Sequence, residues 1–280
     1  MSGEVLVAIP VYNERSHVRS VVEKVREHVS DVLVVDDGST DGTREIMAEL
    51  SGIRRISHHR NFGYGKALVS AFEYAAEHAF SWLITIDCDQ QHEPESIPDF
   101  LAAIQLNDAD ILSGSRFLGH SEALGAAPLE RRRINQFITH ELNRRLDLEL
   151  TDAFCGFKAY RTAPLAALSI DVFGYAMPLQ LWAQAVACGL RIREIPVRLI
   201  YNDPDRSFGN GLDDPDWRLQ HYLSVLGAEV DKMQQRPPDP RQVRASAPVT
   251  VGQASTAAPT CGAECCEFDR NGALGSTVCP

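Results

Sequence analysis

Asp87 and Asp89 stand one residue apart in Ile86-Asp87-Cys88-Asp89-Gln90-Gln91-His92-Glu93-Pro94, where an apolar run gives way to a turn proline. If extended geometry persists, both carboxylates point to the same face. Two bare carboxylates that close repel each other, and a cation relieves the cost. Hard oxygen donors suit Mg2+ or Mn2+. Mg2+ usually takes one or two carboxylates and fills its other positions with water and substrate phosphates. An isolated D-x-D also fits a solvated loop whose acids cap the helix beginning at Ile97. Its position after a buried strand, with other polar loops on the same edge, weakens that loop reading.

Two further loops carry candidate ligands. In Asp36-Asp37-Gly38-Ser39-Thr40-Asp41-Gly42-Thr43, acids at a strand's end can accept hydrogen bonds from a ribose or a base N–H. Asp41-Gly42 reads as a turn and helix cap, which leaves Asp37 as the better ligand. In Pro10-Val11-Tyr12-Asn13-Glu14, Tyr12 can stack on a base and Glu14 can bind a nucleotide hydroxyl, although a plain strand-to-helix loop has the same composition. Asn61-Phe62-Gly63-Tyr64-Gly65-Lys66-Ala67 lacks the third glycine of a dinucleotide fingerprint and does not follow the first strand. A phosphate-binding G-x-x-x-x-G-K-[ST] is absent as well, so a Rossmann dehydrogenase and a P-loop enzyme are disfavoured. No zinc motif or Ser/His/Asp signature appears before the tail.

These loops need a scaffold, and the spacing supplies one. Short apolar runs at Val5–Ile9, Val32–Val35, Ile53–Ser57, Trp82–Ile86 and Asp110–Ser113 alternate with helical patterns. The first helix shows Val18, Val21, Val22, Val25 and Val29 on one face, and later ones cover Lys66–Ala79 and Ile97–Gln105. Such alternation predicts an α/β fold with a mostly parallel, twisted sheet flanked by helices. Ligands then bind beyond the carboxyl ends of its strands. Further on, helices are expected at Glu130–Leu146, Leu179–Cys188 and Trp217–Met233, and strands at Phe157–Tyr160 and Arg191–Tyr201. The Glu130–Leu146 helix carries Ile134, Phe137, Ile138, Leu142 and Leu146 as an apolar stripe beside Arg131, Arg132, Arg133, Arg144 and Arg145. It reads either as an interfacial helix meeting anionic lipid or pyrophosphate, or as an ordinary solvated face.

Whole-chain properties narrow the partners. A formal net charge of −11 argues against general binding to a nucleic-acid backbone. No apolar run approaches the ~18 residues of a membrane span. The start, MSGEVLVAIPVYNE, lacks a basic n-region and a cleavage site, so no signal peptide is expected. Cys88, Cys155 and Cys188 lie scattered, as suits reduced thiols of a cytoplasmic protein. From 236 to 280 the composition turns to Pro, Ala, Ser, Thr and Gly, with Cys261, Cys265, Cys266 and Cys279, and predicts a disordered tail.

Six motifs in order resemble the family-2 glycosyltransferases of the GT-A fold, of the polyprenyl- or dolichyl-phosphate mannose synthase type. They are IPVYNE (9–14), VVDDGSTDGT (34–43), NFGYGKA (61–67), IDCDQQHEP (86–94), GSRF (114–117) and DAFCGFKAYR (152–161), within a match running from Val5 to about Phe208. The resemblance implies a nucleotide-sugar half at 1–117 and an acceptor half at 118–235. It implies an inverting transferase with Mg2+ or Mn2+, a GDP-mannose or UDP-hexose donor and a polyprenyl phosphate acceptor. Peripheral contact with the inner face of the cytoplasmic membrane would follow. By that analogy Pro10, Tyr12, Glu14 and Asp37 hold the nucleotide, and Asp87, Asp89 and Gln91 face the metal and diphosphate. Arg116 would sit near the phosphates, and Arg132 and Arg206 would meet the acceptor phosphate.

Breaking the anomeric C–O bond leaves charge on a nucleoside diphosphate, which a metal and arginines stabilise. A lipid phosphate acceptor is already an anion and needs positioning rather than a base. A hydroxyl acceptor needs a carboxylate within reach of its proton, and Asp152 is the candidate. The departures fall in the acceptor half. Cys155-Gly156-Phe157-Lys158 stands where the family often has S-G-F-R, and Arg206-Ser207-Phe208-Gly209-Asn210-Gly211 lacks the lysine of R-x-x-G-x-S-K. The competing readings are transfer to a soluble or glycan hydroxyl, and a non-catalytic nucleotide-sugar-binding protein. A nucleotidyltransferase would need a glycine- and arginine-rich first loop, which IPVYNE does not offer.

Overall fold

A computed structural model describes residues 4–89, 93–118, 128–198, 200 and 211–235. In chain order the elements are β1 (Val5–Val11), α1 (Val18–Arg26), β2 (Val32–Asp36), α2 (Thr43–Glu49), β3 (Arg54–Ser57), α3 (Tyr64–Glu77), β4 (Trp82–Thr85) and α4 (Ile97–Gln105). There follow β5 (Ile111–Ser115), α5 (Leu129–Leu146), β6 (Lys158–Arg161), α6 (Thr162–Leu165), α7 (Met177–Ala187), β7 (Ile192–Pro196) and α8 (Pro215–Gln235). All lie in one compact unit, Met1–Pro237. The tail expected from 236 lies outside the described residues.

The seven strands form one sheet in the order β3-β2-β1-β4-β6-β5-β7. β1, β2, β3 and β4 run parallel, as do β5 and β7. β1, β2 and β4, at the centre of the parallel part, are apolar at nearly every position because both faces are covered. In β1, Leu6 and Ala8 enter one core while Val7, Ile9 and Val11 enter the other. The first core is completed by α3, α5, α7 and α8, the second by α1, α2 and α4.

β6 breaks the pattern. It lies antiparallel between β4 and β5, with Thr85 opposite Lys158 and Leu83 opposite Tyr160. Its amino end therefore meets the carboxyl ends of β4 and β5, which brings residues 152–157 to the ligand edge of the sheet. β6 and β7, from the expected acceptor half, thus share a sheet with the strands before them.

In α5 the stripe runs through Ile138, Leu142 and Leu146, which are buried, with Ile134 packed against them. Phe137, expected in that stripe, is instead 47% exposed. One residue before Ile138 is about 100° round the helix, which turns it out of the core.

Candidate active site

The loops after β1 and β2 are laced together. Asn13 N–H donates to Ser39 Oγ at 2.9 Å, and Thr40 N–H to Asn13 Oδ1 at 2.9 Å. Glu14 N–H reaches Thr43 Oγ1, and Arg15 N–H reaches Asp41 Oδ2. Asp41 also accepts from the Thr43 N–H and hydroxyl at the start of α2, the structural role expected of it. Asp36, fully buried, accepts from Ser39 N–H and from Arg44. Pro10 is not in the loop; it is buried inside β1, opposite Val35. Tyr12 beyond it is 45% exposed, with its ring available for stacking. The Glu14 carboxylate lies 2.9 Å from His17 Nδ1.

Asp37, the nucleotide candidate of the second loop, is buried just past the end of β2. It is 3% exposed. Its Oδ2 accepts from Gly63 N–H at 2.7 Å, Phe62 N–H lies 3.0 Å from Oδ1, and His58 Nδ1 lies 2.7 Å from Oδ1. The carboxylate is a strut between the end of β2 and the 61–67 loop. The sequence offers no local sign of this, because the partners lie 21 to 26 residues away. Gly38 allows the close approach: its φ is +78°, and a Cβ there would fall 2.3 Å from the Arg60 carbonyl carbon.

β4 ends at Thr85, so Asp87 and Asp89 lie beyond the strand rather than on its continuation. Asp87 is bracketed. Tyr64 donates its hydroxyl hydrogen to Asp87 Oδ1 at 3.1 Å, and a Cβ on Gly156 would fall 2.0 Å from Oδ2. Burial and the Asp87 charge push the Tyr64 phenol well above its ordinary value, so it stays a neutral donor. The 152–157 turn is pinned from behind. Thr85 Oγ1 donates to Gly156 O at 2.8 Å, Trp182 Nε1 to Ala153 O at 2.9 Å, and the buried Lys158 ammonium to Cys155 O. Burial lowers the Lys158 pKa and raises the Cys155 thiol to about 12, so Cys155 is no nucleophile at neutral pH.

Arg116, just past β5, forks onto Asp152. Its Nε lies 2.6 Å from Oδ2 and Nη2 lies 2.9 Å from Oδ1. Asp152 is fully buried and also accepts from Asn135 Nδ2 and Phe154 N–H, both at 3.2 Å. Burial alone would raise its pKa, but the Arg116 charge and hydrogen bonds outweigh that and hold it well below the usual carboxylate range. A carboxylate so held is a weaker proton acceptor than a free one. Glu194 on β7 holds the same turn, accepting from Thr151 N–H and Asp152 N–H. Arg116 and Arg132 both lie against the Phe117 ring, at 5.8 and 6.0 Å from its centroid. Arg132 is exposed on the first turn of α5. Gln91 and Arg206 lie outside the described residues.

The donors suit a hard cation. Asp87 and Asp89 offer carboxylate oxygens at one strand end, and Gly156 leaves no side chain over Asp87. Among the described residues no group of three or more His, Cys, Asp and Glu side chains could hold a metal ion. A carboxylate pair that leaves positions for phosphate oxygens is the Mg2+ style of site.

Sequence reasoning misses Tyr64, Glu194 and Asn135, and meets Lys158 only as a departure from the S-G-F-R pattern. Tyr64 had a signal in its two flanking glycines, which mark a close backbone approach. Glu194 and Asn135 had none.

The model of glycosyl transferase family 2 matches residues 6–168. The chain belongs to glycosyl transferase family 2. It is 31% identical over 216 residues to an undecaprenyl-phosphate mannosyltransferase of Micrococcus luteus, across 74% of this chain and 88% of that one. It is 29% identical over 202 residues to a polyprenol monophosphomannose synthase of Mycolicibacterium smegmatis, across 69% and 76%. Its fold matches glucosyl-3-phosphoglycerate synthase of Mycobacterium tuberculosis, solved with Mn2+, UDP and glucosyl-3-phosphoglycerate, at a TM-score of 0.63 and 20% identity over 82% and 80% of the two chains. This family-2 glycosyltransferase therefore has the GT-A fold expected from its motifs. None of its described helices is long and apolar enough to cross a membrane.

Proposed function

We propose that this family-2 glycosyltransferase is an inverting, metal-dependent enzyme that moves mannose or glucose from a nucleotide-diphosphate sugar to a polyprenyl phosphate. The observation that carries the choice of acceptor is the commitment of Asp152 to Arg116. The carboxylate best placed to act as a base is buried, fully hydrogen-bonded and held ionised. An acceptor that is already an anion needs no base, and the names of two relatives point the same way.

In this reading Tyr12 stacks on the base and Glu14 takes a nucleotide hydroxyl. Asp37 acts one step back, shaping the loop. Asp87 and Asp89 would hold Mg2+ or Mn2+, which when bound supplies positive charge for the departing diphosphate. Asp152 fixes the Arg116 guanidinium in advance, so its charge faces the phosphates without reorganisation. Arg132, which also lies against Phe117, takes the acceptor phosphate, joined by Arg206. Gln91 completes the diphosphate contacts. The enzyme works at the inner face of the cytoplasmic membrane, where its lipid acceptor resides.

The test incubates the protein with Mg2+ or Mn2+, radiolabelled GDP-mannose, UDP-glucose and related donors, and either polyprenyl phosphate or soluble hydroxyl acceptors. A lipid-linked sugar is expected from one donor, lost in Asp89→Ala. Transfer to the soluble acceptors alone would overturn the lipid assignment.

A further inference from the structure

Asp87, one of the two acids assigned to the metal, receives a hydrogen bond from the first residue of α3. We infer that Tyr64 is the positioning residue for Asp87, its hydroxyl setting the rotation of that carboxylate before donor and metal arrive. The inference rests on the reading of Asp87 as part of a metal and diphosphate seat.

The geometry is specific. The Tyr64 hydroxyl meets Oδ1 at 3.1 Å, while the Gly156 backbone closes on the Oδ2 side, where even a Cβ would displace the carboxylate. A carboxylate has about four lone-pair sites. The Tyr64 donor at Oδ1 and the close backbone wall at Oδ2 both limit its rotation. Hydrogen bonds to metal-ligating carboxylates act in this way, orienting the ligand from outside the coordination sphere.

The tyrosine is itself held in place. Its ring stacks on Tyr175, with centroids 5.9 Å apart and planes 13° apart. Gly63 and Gly65 flank it, and a Cβ at either would fall 2.4 Å from Phe173 O or 2.5 Å from Val172 O. Their bareness lets the 172–173 backbone close on the first turn of α3, where Gly65 N–H donates to Phe173 O at 2.7 Å. That backbone is fixed in turn by Gln180, whose Oε1 accepts from Asp171 and Val172 N–H, both at 2.9 Å. Gln180 Nε2 donates to the buried Glu229 of α8 at 3.0 Å. The hydroxyl is thus presented from a rigid support, as a precise site requires.

The experiment is calorimetric titration of Mn2+ into the full chain, alone and with saturating UDP or GDP, for the wild type, Tyr64→Phe and Asp87→Asn. Tyr64→Phe keeps the ring and its stack. It should weaken nucleotide-dependent Mn2+ binding by about tenfold, with metal-free nucleotide binding and the thermal midpoint unchanged. In turnover, KM for Mn2+ should rise while kcat at saturating Mn2+ is retained. Wild-type Mn2+ affinity in Tyr64→Phe, alongside a loss in Asp87→Asn, would overturn the positioning role and leave the metal seat standing. Wild-type affinity in Asp87→Asn would overturn both. Loss of metal-free nucleotide binding together with a lowered midpoint in Tyr64→Phe would make the tyrosine merely structural and also overturn the inference.

Discussion

The Arg116 guanidinium lies flat against the Asp152 carboxylate, Nε 2.6 Å from Oδ2 and Nη2 2.9 Å from Oδ1, across 36 residues of sequence. The pair exists because β6 enters the sheet antiparallel. That single reversal brings the residues before β6 beside those after β5. A buried bidentate pair stands or falls as a unit, since removing one partner strands the other charge.

Asp152→Asn should therefore act on stability first. It keeps the shape but removes the charge, and should cost about 3–5 kcal/mol in urea denaturation, with turnover lost across the pH range. A variant of wild-type stability that lost only the acidic limb of its pH–rate profile would restore Asp152 to the role of base.

Asp37→Ala should behave as the loss of a strut. It leaves the Phe62 and Gly63 N–H groups and His58 without their acceptor. About 2–4 kcal/mol of stability should be lost, measurable by thermal or chemical unfolding. Unchanged stability with weakened nucleotide binding would mean that Asp37 meets the ligand directly.

Arg132→Ala tests the acceptor side. Arg132 is exposed and touches the Phe117 ring, so its loss should leave the thermal midpoint unchanged. KM for polyprenyl phosphate should rise about tenfold, equivalent to about 1.4 kcal/mol, with donor KM unchanged. An unaltered acceptor KM would return this face of α5 to plain solvation.

Asp110 gives a pH signature away from the site. It accepts from Arg191 Nε and Nη2, both at 3.0 Å, and from Arg161 Nε at 3.1 Å, tying together the far ends of β5, β6 and β7. The Arg191 hydrogen bonds, partly opposed by burial, lower its pKa to about 2. A depressed carboxylate contributes stability above its unfolded pKa of about 3.9, and loses it as pH falls through the folded value. Asp110→Asn should thus be less stable than wild type at pH 5 to 7, and the difference should close as pH falls from about 4 to about 2. Acid unfolding curves of the two proteins, with KM values at pH 7 as the control, would show it. A gap that persisted below pH 2 would assign the loss to packing instead.

The strands and most helices were legible because they are local. Valines at 18, 21, 22 and 25 lie on one helix face, and apolar runs such as Val32–Val35 are buried on both sides. Helix α4 begins and ends where its spacing predicted. The Asp87–Asp89 pair was legible for the same reason, as two acids at a strand's end, although the strand stops earlier than same-face geometry required. Phe137 misled because it fits an i, i+3 spacing while the helix packs along its i, i+4 row.

What the chain alone determined was the element order, the family motifs and the edge of the sheet where ligands gather. Those follow from side-chain period and from the direction of parallel strands. Only the tertiary structure decided that β6 runs backwards, that Asp37 faces inward to Gly63, that Asp152 is bound to Arg116, and that Tyr64 reaches Asp87. The last three are contacts between residues 23 to 36 positions apart, and the pairings of β6 span more. Such pairs are chosen by chain closure and burial, which no local periodicity records.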